Sequence, residues 1–154
     1  MGALLLLLCA ALWGIERGRR EKTALRIIAE LVNFIEYTRE QISNFRTPLL
    51  RIYSEYCCEA RELEDFFSAL RRNDTENAVG LLSERIPKSA YREASLFFSS
   101  LGGGYSEGQE SLCIAAKARL ERIGEEMRES LGEKLRMYRL LPLLLAASLV
   151  ILLI

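Results

Sequence analysis

A chain of 154 residues with 21 basic side chains, 21 acidic ones and no histidine has a formal net charge of zero at pH 7. Such a balance offers nothing to a phosphate backbone, so nucleic acid is not expected as a partner. The missing imidazole removes the commonest metal ligand and general base.

Every charge lies between Glu16 and Arg139. Residues 2–15 (GALLLLLCAALWGI) and 140–154 (LLPLLLAASLVILLI) carry none. The pattern predicts an N-terminal transmembrane helix over 1–16, an all-helical domain over 17–139 and a C-terminal transmembrane helix over 140–154, so the lipid bilayer is itself an expected partner. Each apolar run is short, reaching about 21–22 Å at the helical rise, against a hydrocarbon core about 30 Å thick. Extension of the second run back through Met137–Arg139, with Arg139 snorkelling, and local thinning of the bilayer close the gap. Arg17, Arg19, Arg20 and Lys22 follow the first run, and Lys134, Arg136 and Arg139 precede the second. The positive-inside rule therefore predicts a two-pass cell-membrane protein with its middle in the cytoplasm.

In the middle, apolar residues recur at helical spacing. Leu25, Ile28, Leu31, Val32, Ile35, Ile42 and Phe45 form one stripe, with Glu30, Glu36, Arg39 and Glu40 elsewhere. Thr47-Pro48 breaks that helix, with Thr47 as N-cap and Pro48 at the first position of the next. The second helix is expected through Leu49, Leu50, Ile52, Tyr53 and Tyr56 to about Glu59. Leu63, Phe66, Phe67 and Leu70 define a short third. Asp74 or Thr75 caps a fourth, with Ala78, Leu81, Leu82 and Ile86 inward and Pro87 at its end. A fifth covers Ala90 to Ser100, with Tyr91, Ala94, Phe97 and Phe98 inward. Gly102-Gly103-Gly104 ends it, because glycine enters left-handed conformations at little cost.

Ser106 then caps a last helix, with Gln109 as its capping-box partner. Leu112, Ala116, Leu120, Ile123, Met127, Leu131, Leu135 and Tyr138 step by three and four residues along it, without a breaker before Pro142. No hairpin turn or alternating β-branched run appears. The fold class is all-α: a cytoplasmic helical bundle flanked by N- and C-terminal transmembrane helices, the two long helices running as an antiparallel pair.

Chemistry is sparse. The four cysteines make neither a disulfide framework nor a C-x-x-C pair: Cys9 sits in the first apolar run, Cys57 and Cys58 are adjacent on different faces of a helix, and Cys113 stands alone. Glu125, Glu126, Glu129 and Glu133 lie among Arg122, Arg128 and Lys134, as on a solvated face with i,i+4 pairs. Gly102–Gly104 is followed by no Lys-Ser/Thr, so it is not a phosphate loop. No catalytic, metal-binding or cofactor-binding residue is assigned, and the chain is expected not to be an enzyme.

Thr47-Pro48-Leu49, Leu101-Gly102, and Gln109 leading the stripe to Tyr138, between two apolar ends, give an order that resembles the stage III sporulation protein AB family of spore-forming bacteria. The resemblance covers nearly the whole chain; the turn departs from the family pattern, with Gly102–Gly104, Tyr105, Ser106 and Glu107 where the family tends to have one Leu-Gly followed by Ser/Thr-Asp. It implies a divergent relative of the inner-membrane platform proteins of type II secretion and type IV pilus systems. The function implied is that of a non-enzymatic platform or adaptor in a sporulation channel between mother cell and forespore, on the mother-cell side. Its implied partners are a cytoplasmic secretion-type ATPase and other membrane components of the channel.

The surfaces expected to meet a partner are the turns Arg46, Thr47, Pro48, Leu49 and Gly102, Gly103, Gly104, Tyr105, because opposed long helices carry their turns away from the membrane. Two other readings compete: a pore-forming or membrane-remodelling helical hairpin, and a lipid-anchored helical surface protein processed at both ends.

Overall fold

The computed structural model describes residues 2–103 and 106–153. Its elements, in chain order, are α1 (Gly2–Phe45), α2 (Leu49–Glu55), a 3-10 turn (Arg61–Leu63), α3 (Glu64–Arg71), α4 (Thr75–Gly80), α5 (Lys88–Ser100) and α6 (Ser106–Leu153). Among the described residues there is no strand, so the protein is all-α. The chain forms two compact units, Thr23–Glu125 and the pair of segments Met1–Lys22 with Glu126–Ile154.

The Thr23–Glu125 unit holds the core. Ile27, Ile28, Leu31, Phe34 and Ile35 of α1 are buried, as are Ile52 and Tyr53 of α2 and Leu63 of the 3-10 turn. Phe66, Phe67 and Leu70 of α3, Leu82, and Phe97 and Phe98 of α5 complete the inner layer. Phe34 is its hub: its ring lies 5.2 Å from Phe67 edge to face, 5.0 Å from Tyr56, and stacked at 5.9 Å on Phe98. Each buried Phe side chain contributes about 1.5–3 kcal/mol by leaving water, and edge-to-face pairs add about 0.5–1.5 kcal/mol.

The α1 stripe is broader than its spacing suggests. Ala24, Ile27, Phe34 and Thr38 are buried beside the expected Ile28, Leu31, Ile35 and Ile42. Phe45 is the reverse: it is 70 % exposed. It stands in the last turn of α1, beyond the layer that the shorter helices cover. Glu30, expected on the polar face, is buried at 7 % exposure. Its Oε1 accepts hydrogen bonds from the Tyr56 hydroxyl at 2.8 Å and the Glu59 backbone N–H at 3.2 Å. A buried carboxylate is tolerable only with such donors.

That anchor explains why α2 stops at Glu55 rather than near Glu59. Tyr56 turns extended (φ −69°, ψ 122°). Arg71 then donates to the Tyr53 and Tyr56 carbonyls at 3.2 and 3.3 Å, serving acceptors that a helix end leaves open. Cys57 and Cys58 consequently lie in a non-helical stretch, Cys57 exposed and Cys58 half-buried.

The α3–α4 corner follows local rules. Asn73 takes a left-handed φ of 60°, which asparagine accepts more readily than most residues. Asn73 N–H donates to Leu70 O and Asp74 N–H to Ala69 O, the paired bonds of a Schellman ending. Asp74 then caps α4, accepting from Asn77 N–H at 3.2 Å. Helix α4 ends at Gly80, earlier than expected, and Pro87 serves as the N-cap of α5 instead.

Within this unit α1 and α6 pair antiparallel through charge. Glu36 accepts from Arg39 at 2.6 Å and from Lys117 at 3.1 Å, while Arg39 reaches Glu110 at 3.7 Å. Nearer the end of the unit, a β-carbon on Gly124 would make ordinary contact with Ile28. Of the expected α6 stripe, Ala116 and Leu120 are buried, joined by Cys113, and Leu112 and Ile123 are half-buried; the side chains of Leu135 and Tyr138 lie outside the described residues. Glu36 and Arg39 thus sit at a helix seam rather than on an open face.

In the other unit Arg20 pairs with Glu16 at 3.5 Å and Lys134 with Glu21 at 3.8 Å. Met127 and Leu131 are half-buried there. Glu126, Glu129 and Glu133 are exposed, as is Glu125 of the Thr23–Glu125 unit. Helix α6 continues through Pro142 to Leu153; a proline removes one ladder donor without ending every bond around it. Among the described residues no helix is long and apolar enough to cross a membrane. The expected spans over 1–16 and 140–154 are therefore not supported as such, their charge-free runs being shorter than the usual span of about 20 residues.

Candidate functional site

The two turns singled out from sequence meet in space. Gly102 has φ +91°, a conformation an L-side chain rarely adopts, and a β-carbon placed there would stand 2.9 Å from Leu49 Cδ1. The absence of a side chain at Gly102 is what lets Leu49, half-buried at the start of α2, close over it. Gly103 is exposed and its N–H donates to Ser100 O at 3.4 Å. Gly104 and Tyr105 lie outside the described residues, as does the side chain of Ser106.

The α1–α2 turn is built differently from expectation. Pro48 is the N-cap of α2, not its first helical residue, and no side chain caps that end. Thr47 turns the other way, its hydroxyl donating to Gln41 Oε1 at 3.1 Å. Arg46 holds a left-handed φ of 50°. Its N–H donates to Ile42 O at 3.2 Å and that of Thr47 to Gln41 O at 3.1 Å, which closes the end of α1. An arginine in this conformation costs about 1–2 kcal/mol, where a glycine would avoid the strain.

Beside the turn lies a groove of about 340 Å³ lined by Gln41, Phe45, Arg46, Thr47, Pro48, Arg51 and Glu55. Arg51 is neutralised by Glu55, Nε to Oε1 at 2.6 Å. Arg46 is exposed, and no ion pair or side-chain hydrogen bond engages it among the described residues. Phe45 and Leu50, 70 % and 53 % exposed, flank the turn with bare apolar surface. The apolar stripe of α1 predicts Phe45 inward. Its spacing continues that stripe, and nothing in spacing says where the neighbouring helices run out.

A second groove, of about 400 Å³, is lined in part by Tyr56, Cys57, Cys58, Phe67 and Arg71. Burial pushes the Cys58 thiol up to about 11 and raises the Tyr56 hydroxyl, whose bond to Glu30 adds to the rise. Both groups are thus held protonated at neutral pH. At the α1–α6 seam the hydrogen bonds from Arg39 and Lys117 hold the Glu36 carboxyl below its usual 4.5. Burial lifts the Cys113 thiol to about 11. No set of three or more His, Cys, Asp or Glu side chains able to hold a metal occurs among the described residues.

These features define a class: an all-helical protein in which aromatic packing fixes the Thr23–Glu125 unit, which carries an exposed turn at Arg46–Pro48, with charge-free sequence at both termini. The stage III sporulation protein AB family matches residues 1–154, and the chain belongs to that family. No curated protein and no solved structure matches the chain.

Proposed function

We propose that this protein is a non-enzymatic membrane platform or adaptor of a sporulation channel, coupling a cytoplasmic secretion-type ATPase to membrane components. In this reading the apolar termini hold the chain in the cell membrane as a two-pass protein, and the Thr23–Glu125 unit faces the mother-cell cytoplasm. The turn end, Arg46–Leu49 with Gly102, is the surface offered to the ATPase. The observation that carries the reading is the packing of Leu49 on Gly102. It fixes two distant turns as one patch, next to apolar side chains left bare at Phe45 and Leu50. Membership of the sporulation family supports the setting.

Site-specific photo-crosslinking tests the proposal. With the full chain in membranes and the ATPase added, a crosslinker at position 50 should capture the ATPase, and one at exposed Glu84 should not. Equal capture at both, or at neither, would refute the assigned face. Topology has its own check. With the four native cysteines removed, Asn73→Cys should resist membrane-impermeant thiol reagents in intact cells, while cysteines at the two termini should label. Labelling of position 73 from outside would exclude a cytoplasmic motor as partner.

A further inference from the structure

We infer that the groove beside Arg46 receives a short segment of the partner protein that carries a carboxylate flanked by aliphatic or aromatic side chains. The inference rests on the proposed function for its owner, the ATPase, but its chemistry comes from the groove. Three features of the lining converge. Arg46 is the unneutralised charge of the groove, since the other guanidinium, Arg51, is taken by Glu55 at 2.6 Å. Arg46 and Arg51 against Glu55 leave the lining net positive, so an anion is the complement. Phe45 and Pro48 give the same groove apolar walls, and Leu50 stands exposed just beyond, so a lone anion would leave that surface wet.

The backbone points the same way. Helix α1 ends on a left-handed residue, where glycine is the low-cost solution. Here the position holds an arginine with φ 50°. Residues held in such conformations cluster at active sites, ligand clamps and switch regions. The turn places Arg46 in the groove lining, one residue past exposed Phe45. A carboxylate on it would make a charge-assisted, two-pronged contact, the pairing to which a planar guanidinium is suited.

The test uses the full chain in nanodiscs of zwitterionic lipid, with empty nanodiscs as control. The probe is a fluorescent synthetic peptide in which Asp and Glu alternate with Leu and Phe, compared with a counterpart in which Asn and Gln replace the acids. The acidic peptide should bind the wild-type chain more tightly than the neutral one, and added salt should weaken it. Arg46→Gln should weaken it about ten- to hundredfold, the range of one charge-assisted hydrogen bond. Arg46→Lys should keep part of the affinity, and Arg72→Gln should change nothing. Arg46→Gly guards against misfolding as an explanation: its melting temperature should hold or rise, and binding should still fall. Equal binding of acidic and neutral peptides, or an Arg46→Gln variant that binds like wild type, would overturn the inference.

The purified ATPase is then tested on the same nanodiscs. If it binds wild type and Arg46→Gln alike, the inference falls and the platform reading stands. If it does not bind wild type while the acidic peptide still depends on Arg46, the groove stands and its assignment to an ATPase falls.

Discussion

The Tyr56 hydroxyl donates a 2.8 Å hydrogen bond to the Glu30 carboxylate, tying the non-helical stretch after α2 to the middle of α1. The residues stand 26 apart in the chain, and the bond lies next to the Phe34 ring, 5.0 Å from that of Tyr56. It makes a buried charge into a fastener for the segment that carries Cys57 and Cys58.

Removing one side of that fastener should be costly. Tyr56→Phe keeps the ring packing and deletes one donor, leaving Glu30 with the Glu59 N–H and the Cys58 thiol. A hydrogen bond to a charged group is worth about 1.5–3 kcal/mol, so chemical denaturation should show a loss of that order. Tyr37→Phe, whose half-buried ring packs 5.3 Å from Tyr56, serves as the control and should change little. Equal stability of the two variants would mean that water replaces the lost donor.

Gly102→Ala should destabilise by about 1–2 kcal/mol, the cost of a left-handed conformation for an L-residue. The contact with Leu49 Cδ1 at 2.9 Å adds less, because the end of a leucine side chain can move aside. Leu49→Ala in the same chain should therefore recover only a small part of the loss. Full recovery would place the whole effect in the clash rather than in the backbone.

On α6, the register can be read by substitution. Leu120 is fully buried and Leu131 half-buried. Leu120→Ala should cost about 2–5 kcal/mol, and Leu131→Ala clearly less. A melting series in detergent decides it, and an inverted order would reverse the assignment of the packed face.

Stability should be flat across the neutral range and fall at both ends. The Glu36 carboxyl is held below 4.5 by Arg39 and Lys117. Its contribution is present above that value and fades as pH drops through the lowered one. Cys58 and Cys113 are raised from 9.0 to about 11, and buried Tyr53 from 10.0 to about 12. Their contributions are complete below the unfolded values and disappear as pH climbs through the raised ones. Denaturant midpoints should thus begin to fall above about pH 9. A Cys58→Ala, Cys113→Ala variant should delay that fall. An unchanged alkaline limb in the variant would assign the effect to the tyrosines.

Much of the helix plan was legible in the chain. The cap at Asp74, the inward set Leu63, Phe66, Phe67 and Leu70, and the turn at Gly102 follow from local chemistry that needs no partner. The candidate site was legible only in outline. Thr47-Pro48-Leu49 and Gly102 mark breaks in periodicity, which sequence displays, but Phe45 continued the α1 stripe and so read as core. The roles of Thr47 and Pro48 were exchanged, because the Thr47 hydroxyl found Gln41 rather than the helix start.

By itself the sequence determined the all-helical class, the placement of charge between two apolar ends, and the breaks at Thr47-Pro48 and Gly102. These are set by side-chain periodicity, by proline and glycine, and by composition, all properties of neighbours along the chain. Only the tertiary structure decided that Glu30 is buried, that α2 ends at Glu55, that Phe45 is bare, and that Leu49 lies on Gly102. Each of these depends on which side chains from distant elements arrive at one place, and a one-dimensional pattern carries no distance between them.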